Sequence, residues 1–373
     1  MNEKTIIALA TIVVFATSAH ASIIYHNDGT TVELGGSVRV LLAKEKNKRV
    51  DLKNDDSRLD MKVTHQLGSG LSAVSGLEIR FDSEDNVFSS GKFGNPTTNK
   101  LFAGLAYEGI GTLTFGKQAT NGDDVQLNDN AYVWGADNNL LISAEKSIKF
   151  RSVEWHGFSL GLDYVFGNAN KKTSVKDNPL GNYEDKYAYQ TSLFYSRGLA
   201  QDLMLNLAAG YGVNKYDYES TRTAYTNITW RMAAQVVYGS MSFGAEYGKM
   251  ISKEHDTKEK TIQNLLVSVS YQVTEPSKVY VQWNNLKVKN HLAFGTKVDY
   301  LVVHNWKKSV DTLIVGADYK LHKNVLAYVE YAYEKAKATS DIYDYQVNPT
   351  VKVFSTNHQV KNNKLGVGLR VFF

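Results

Sequence analysis

The chain has 373 residues, with 42 Lys and Arg against 38 Asp and Glu, no cysteine, 23 tyrosines, 28 glycines and only 4 prolines. The lack of cysteine excludes a disulfide-stapled exported domain, and a net charge of +4 is too small to argue for nucleic acid as a partner. With so few prolines, nearly every residue is free to join a hydrogen-bonded ladder.

The first element is a leader. Lys4 supplies a basic start, "TIIALATIVVFA" a short apolar run, and Ala19-His20-Ala21 a small-x-small cleavage pattern. Residues 1–21 therefore read as a secretory signal peptide, and residues 22–373 as the exported domain. After it there is no run of ~18 apolar residues, so no membrane-spanning helix is expected.

The rest alternates with period 2. In "GSVRVLLA", Val38 and Val40 share one face and Arg39 takes the other. "SRLDMKV" sets Leu59, Met61 and Val63 against Arg58, Asp60 and Lys62. "GLEIRFD" sets Leu77, Ile79 and Phe81 against Glu78, Arg80 and Asp82. "SIKFRS" opposes Ile148 and Phe150 to Lys149 and Arg151. "FSLGLDYVF", "LMLNLAAGY" and "VLAYVEYAY" continue the pattern with apolar faces led by Phe158, Leu203 and Val325.

The connections alternate too. Short ones fall at 68–70, 109–111, 156–157, 198–202, 239–240, 273–276 and 321–324. Longer polar ones fall near 44–55, 83–99, 119–147, 167–186, 214–226, 251–261, 288–309 and 336–361. Together they join 16 strands of ~10 residues, with tight turns at one end and loops at the other. That is the pattern of an all-β transmembrane antiparallel barrel with short periplasmic turns and long extracellular loops. The mean hydropathy of −0.32 fits, because only the lipid-facing half of each strand must be apolar. A 16-stranded barrel is too wide for side chains to fill and leaves an aqueous channel.

Within 119–147, Asp123, Asp124, Asp129, Asp137 and Glu145 face one basic residue, Lys146, and apolar residues such as Val125, Tyr132, Trp134 and Leu140 are interspersed. A loop folded into the lumen and packed on its wall would need that mixture. Its acids, Asp123, Asp124 and Asp129, would then face Arg39, Arg58, Arg80 and Arg151 across the narrowest section. Opposed charges there set up a transverse field focused by the low-dielectric wall. Lys117 follows Leu113 and Phe115 on the outward phase. It is expected either to meet an acid such as Glu84 at a subunit boundary or to sit at the membrane edge with its stem buried.

Three stretches resemble a known family. "LFAGLAYEGIGTLTFGKQ", followed by the acidic segment, resembles the approach to the constricting third loop of Gram-negative general porins. "IIYHNDGTTVELGGSVRV" is similar to their first strand. "ADYKLHKNVLAYVEYAYEKAKA" with the terminal "LGVGLRVFF" is similar to the trimeric porins of the Pasteurellaceae type. The resemblance implies a homotrimer in the outer membrane, surrounded by lipid. The charge runs "KEKNKR" (44–49) and "SKEHDTKEK" (252–260) read as external loops within reach of acidic lipopolysaccharide. The resemblance implies wall cations at Arg39, Arg58 and Arg151, with Lys100 as a further candidate. It also implies that Phe373 is read by the barrel assembly machinery. The Pro-Glu-Phe-Gly-Gly stretch of enterobacterial third loops has no counterpart here.

The function expected is passive passage of small hydrophilic solutes and ions. A substrate-specific channel for anionic or nucleotide-like solutes is the alternative. A barrel enzyme is disfavoured, since there is no His-Glu-x-x-His motif and the nine histidines are scattered singly. No metal or cofactor is expected.

Overall fold

In hydrocarbon, an unpaired backbone N–H or C=O has no water to turn to. The strands of this chain meet that condition by pairing in a ring. The computed structural model describes residues 21–81, 93–169, 183–218, 224–254, 257–291, 294–295, 301–344 and 352–373. The strands are β1 (Ser22–Asn27), β2 (Thr30–Glu45), β3 (Asp51–Asn54), β4 (Arg58–Gly68), β5 (Leu71–Arg80), β6 (Thr97–Tyr107), β7 (Gly111–Ala119), β8 (Ser143–Ser152), β9 (Phe158–Phe166) and β10 (Tyr183–Ala200). They continue with β11 (Leu203–Tyr218), β12 (Ala224–Tyr238), β13 (Met241–Glu254), β14 (Thr257–Thr274), β15 (Ser277–Asn290), β16 (Phe294–Gly295), β17 (Leu301–His322), β18 (Val325–Asp344) and β19 (Lys352–Phe372).

Sixteen of these form the wall: β2, β4 to β15 and β17 to β19. Each pairs antiparallel with its neighbours, and β19 pairs with β2 to close the ring, from Lys364↔Glu45 to Phe372↔Ser37. Phe373 completes the seam. Phe373 N–H donates to the Gly36 carbonyl at 3.1 Å, and Gly36 N–H donates to the Phe373 carbonyl at 3.0 Å.

Alternation gives the wall its two faces. On β9, Phe158, Leu160, Leu162, Tyr164 and Phe166 are exposed to the outside, while Asp163 is buried on the lumen side. On β18, Val329 and Tyr331 face out, and Tyr328, Glu330 and Ala332 are buried within. The apolar surface is therefore external, the reverse of a water-soluble fold.

All seven short connections lie where expected, but several long ones are shorter than the sequence suggests. Only residues 255–256 separate β13 from β14, and only 219–223 separate β11 from β12. β17 runs for 22 residues, about twice what a bilayer crossing needs. The strands pass beyond the apolar belt as hairpins with two wet faces. Polar residues on both faces erase the alternation that marks a strand, so these extensions read as loops. The N-terminal stretch also differs from a single first strand: it folds as the hairpin β1–β2 about Asp28 and Gly29. β1 pairs with Thr30–Leu34 of β2, just beyond the point where β19 stops.

Gly36 is required at the seam. A Cβ there would lie 2.6 Å from the Phe373 ring and 2.7 Å from the Arg58 carbonyl oxygen. The ring could turn aside, but the carbonyl is fixed by the ladder. Gly36→Val is therefore expected to destabilise the closed barrel by about 1–3 kcal/mol, the usual cost of overpacking. The heat-modifiable mobility shift on gels should move to lower temperature, and an unchanged shift would remove the seam argument.

Candidate functional site: the lumen and its inner loop

The segment 120–142 leaves β7 and returns to β8 without going outside the barrel. It crosses the lumen against the inner faces of β9 to β19. A loop in this position brings many backbone N–H groups away from bulk water, and each needs an acceptor. The wall supplies them from one inward side chain per strand. Asp163 on β9 accepts from Asn121 N–H at 3.1 Å. Glu246 on β13 accepts from Asn128 N–H at 2.5 Å, and Gln282 on β15 from Asn130 N–H at 2.8 Å. Glu330 on β18 accepts from the N–H groups of Tyr132, Val133 and Trp134 at 2.6, 3.3 and 2.9 Å, and from the Tyr280 hydroxyl at 2.6 Å.

Packing completes the attachment. Val125 and Leu140 bury against Ala208 and Ala233. Tyr132 stacks on Tyr328 with ring centroids 4.5 Å apart, and the Arg370 guanidinium lies 4.7 Å from the Tyr132 ring. Arg231 and Glu246 form a fully buried ion pair, and Arg231 also donates to the Asp137 carbonyl. At Gly161 a Cβ would come within 2.4 Å of Asn121 Cγ, so only glycine lets the loop start this close to the wall.

The opposite wall is basic. Arg58 and Arg80 both approach Asp56, at 3.3 and 2.9 Å. Glu78, almost fully buried, receives Arg80 at 2.7 Å, Lys100 at 2.6 Å and Arg58 at 3.8 Å. Arg39 donates from Nε to the Ser37 hydroxyl at 2.7 Å and has no carboxylate within ion-pair distance among the described residues. Arg151 meets Asp124 at 3.2 Å and lies over the Phe194 ring at 3.6 Å. Lys149 donates to the Ala119 carbonyl at 3.0 Å. A cavity between wall and loop is lined by Lys62, Lys100, Lys149 and Arg151 together with Asp60 and Glu78 on the wall, and by Asp123 and Asp124 on the loop.

Four expected wall cations, Arg39, Arg58, Arg80 and Arg151, thus stand on β2, β4, β5 and β8 facing the lumen. Asp124 pairs with Arg151, and both Asp123 and Asp124 line the cavity with Arg151, Lys100 and Lys149. Asp129 does neither. Its carboxylate accepts from Gln282 at 2.8 Å and from the N–H groups of Ala136 and Ala131 at 2.9 and 3.2 Å. It shapes the loop tip against β15 by accepting from these half-buried amides. Lys117 is outward as expected, but it pairs with Glu145 of the same chain at 2.6 Å. β8 runs beside β7 there; Glu84 lies outside the described residues. The loop acceptors Asp163, Glu246, Gln282 and Glu330 were not singled out from the sequence. Their only signal is a lone polar residue at an inward position of an apolar strand.

The wall also removes water from around Asp123, and the charge of Asp124 beside it adds to this. Both hold the Asp123 carboxyl above its usual range.

A family profile described as Gram-negative porin matches residues 8–339. The major outer membrane protein of Pasteurella multocida is 33% identical over 389 aligned residues, covering 100% of each chain. The chain belongs to the Gram-negative porins. Among solved structures, OmpT of Vibrio cholerae in its trimer form is 18% identical at TM-score 0.67, over 93% of this chain and 100% of that one. An anion-selective porin from Comamonas acidovorans is 16% identical at TM-score 0.69, over 92% and 100%. Both share the fold. This porin is an outer-membrane channel for passive diffusion, and its family is one of channels rather than enzymes. The lumen between the loop and the basic wall is the path left for solutes.

Glu330 is the acceptor the loop depends on most. Glu330→Ala leaves three loop amides and the Tyr280 hydroxyl without it, at about 1–3 kcal/mol for each buried group not satisfied elsewhere. The loop should loosen, and single-channel recordings should show a higher and noisier open current. A current identical to wild type would mean the loop is held without Glu330.

Proposed function

We propose that this porin is a general diffusion channel with a preference for anions. The observation that carries the reading is an imbalance of usable charge. Arg58 and Lys100 lean on Asp56 and Glu78, which Arg80 also contacts, and among the described residues Arg39 and Lys149 have no carboxylate within ion-pair distance. On the loop side, Asp129, Glu246 and Glu330 are occupied with backbone amides and bound side chains, and Asp124 is paired with Arg151, which leaves Asp123 as the loop acid in the cavity without an ion pair among the described residues. Small anions crossing between the two meet uncompensated cations within the ~8 Å over which charge acts at physiological ionic strength. The shared fold with the anion-selective porin of Comamonas acidovorans supports the same reading.

The test is the reversal potential in a planar bilayer under a KCl gradient. The expected sign is that set by chloride, and Arg39→Gln with Lys149→Gln should move the potential towards zero. As pH falls, Asp123 takes up its proton ahead of an ordinary carboxylate. The lumen then gains net positive charge and anion preference rises. Asp123→Asn should show the higher preference already at neutral pH and lose that step. A potential of the potassium sign in the wild type would overturn the proposal.

The assembly proposed is a homotrimer of chains beginning at Ser22, inserted by the barrel assembly machinery through Phe373. The trimer form of the Vibrio cholerae relative supports the stoichiometry. Lipopolysaccharide is the proposed outer-leaflet neighbour. Lys287 and Lys289 on β15, Lys307 on β17, Lys335 and Lys337 on β18 and Lys361 on β19 share the outward phase beyond Trp283, Tyr331 and Tyr333. Lys289 stands opposite Lys307, and Lys335 opposite Lys361. Like charges directly opposite repel, and phosphates of the outer leaflet would offset that cost. Native mass measurement reads these points together: chain mass from Ser22, three chains per particle, and bound lipopolysaccharide. The same preparation from a chain lacking Phe373 should yield less inserted protein with unchanged conductance per barrel. Monomers starting at Met1, or equal insertion without Phe373, would contradict it.

A further inference from the structure

The outward face of β11 to β13 carries a dent. Ala209, Ala234 and Ala245 stand side by side where neighbouring rows carry larger apolar residues. Leu207, Ala234 and Ala245 share one register row, and Ala209, Met232 and Tyr247 the next. The alanines floor a groove of about 620 Å³, walled by Tyr195, Met232 and Leu265 among others and lined almost wholly by apolar atoms. That volume lies within the ~300–1,000 Å³ of clefts that take small ligands.

Part of this composition has a reason inside the barrel. Alanine pairs occur at 208–209 and 233–234, and the inward members, Ala208 and Ala233, seat Val125 and Leu140 of the loop. The loop asks nothing of the outward members. Ala209, Ala234 and Ala245 leave an apolar groove on a face that lies in hydrocarbon, and such a groove holds no water.

Arg197 adds a second, independent feature. It follows Leu193 and Tyr195 on the outward phase of β10 and sits close to the short turn after Ala200, at the periplasmic end. Its side chain is exposed and has no hydrogen-bond or ion-pair partner among the described residues. On that face it is the next residue along β10 from Tyr195, which lines the groove. A guanidinium at the boundary of the lipid face matches one partner chemistry best, since its fork of N–H groups fits the oxygens of a phosphate.

We propose that the groove holds one acyl chain of a phospholipid from the periplasmic leaflet, and that Arg197 binds its phosphate. The groove orders the chain by shape and the arginine sets its depth. The wall here is one sheet thick, so the bound chain and the loop seat lie back to back on β11 and β12.

The test begins with protein extracted from outer membranes in mild detergent. Bound lipid is read by native mass measurement, with dioleoylphosphatidylglycerol, dioleoylphosphatidylethanolamine or dioleoylglycerol added back in separate arms. Wild type should retain one phospholipid per chain, from either phosphate-bearing lipid and not from dioleoylglycerol. Ala234→Phe fills the groove and should lower retention at least tenfold, and Arg197→Gln several-fold. Ala234→Leu is the gentler filling variant, and heat-modifiable mobility and conductance report that each variant is folded. Unchanged retention in both filling variants overturns the proposal, as does dioleoylglycerol binding as tightly as the phospholipids. A loss of trimer mass in Ala234→Phe with retention intact also overturns it, and would make the groove a contact between subunits.

Discussion

Every other feature of this porin depends on closing the backbone ladder. A sheet in hydrocarbon has no tolerance for an edge, because each unpaired group there costs several kcal/mol. The two N–H···O bonds between Gly36 and Phe373 are the last links of that closure. Phe373 can be apolar because its backbone is a rung of the ladder. Once the ring is closed, period-2 alternation assigns every other side chain to lipid or to water. The number of strands then sets a lumen too wide for side chains to fill.

That width creates a second backbone problem, and its solution gives the channel its electrical character. The inner loop carries N–H groups into the lumen, so the wall beneath it must offer acceptors. Asp163, Glu246, Gln282 and Glu330 do so from four different strands. The acids spent on this are removed from the path of a solute. The facing wall meets the loop through Arg151 and through Leu41 and Ala43, and its other cations remain only partly compensated. The lumen is therefore divided into a side that binds the loop and a side that meets the solute. The charge asymmetry follows from the loop's hydrogen-bonding needs as much as from the number of charged residues.

The sequence exposes features that repeat locally and hides those that do not. Short turns and the outward phases of β9, β11 and β18 are legible because one face is apolar and the other is not. Where both faces are wet, as in 251–261, strand and loop have the same composition, and the long hairpins are invisible. Arg39, Arg58, Arg80 and Arg151 are legible as inward because apolar neighbours fix their phase. Asp129 is not, because nothing local tells an acid that faces an arginine from one that caps its own loop. Glu330 lies almost 200 residues from the amides it holds, a pairing that no periodicity records. Lys117 shows the same limit at shorter range: its partner Glu145 is a neighbour only because β7 and β8 are paired.

The alanine pairs at 208–209 and 233–234 show how one substitution pattern serves two solvents. In a single-layer wall, consecutive residues face opposite media, so a small residue needed inside says nothing about the size of the residue beside it. Ala208 and Ala233 are small because Val125 and Leu140 press on them. If only the loop mattered, the outward neighbours could be as large as Leu207 and Val236, which cover the same strands one row away. They are instead small together with Ala245, which has no part in seating the loop. The dent is thus an additional feature of the lipid face, and the isolated arginine next along β10 from Tyr195 gives it a direction.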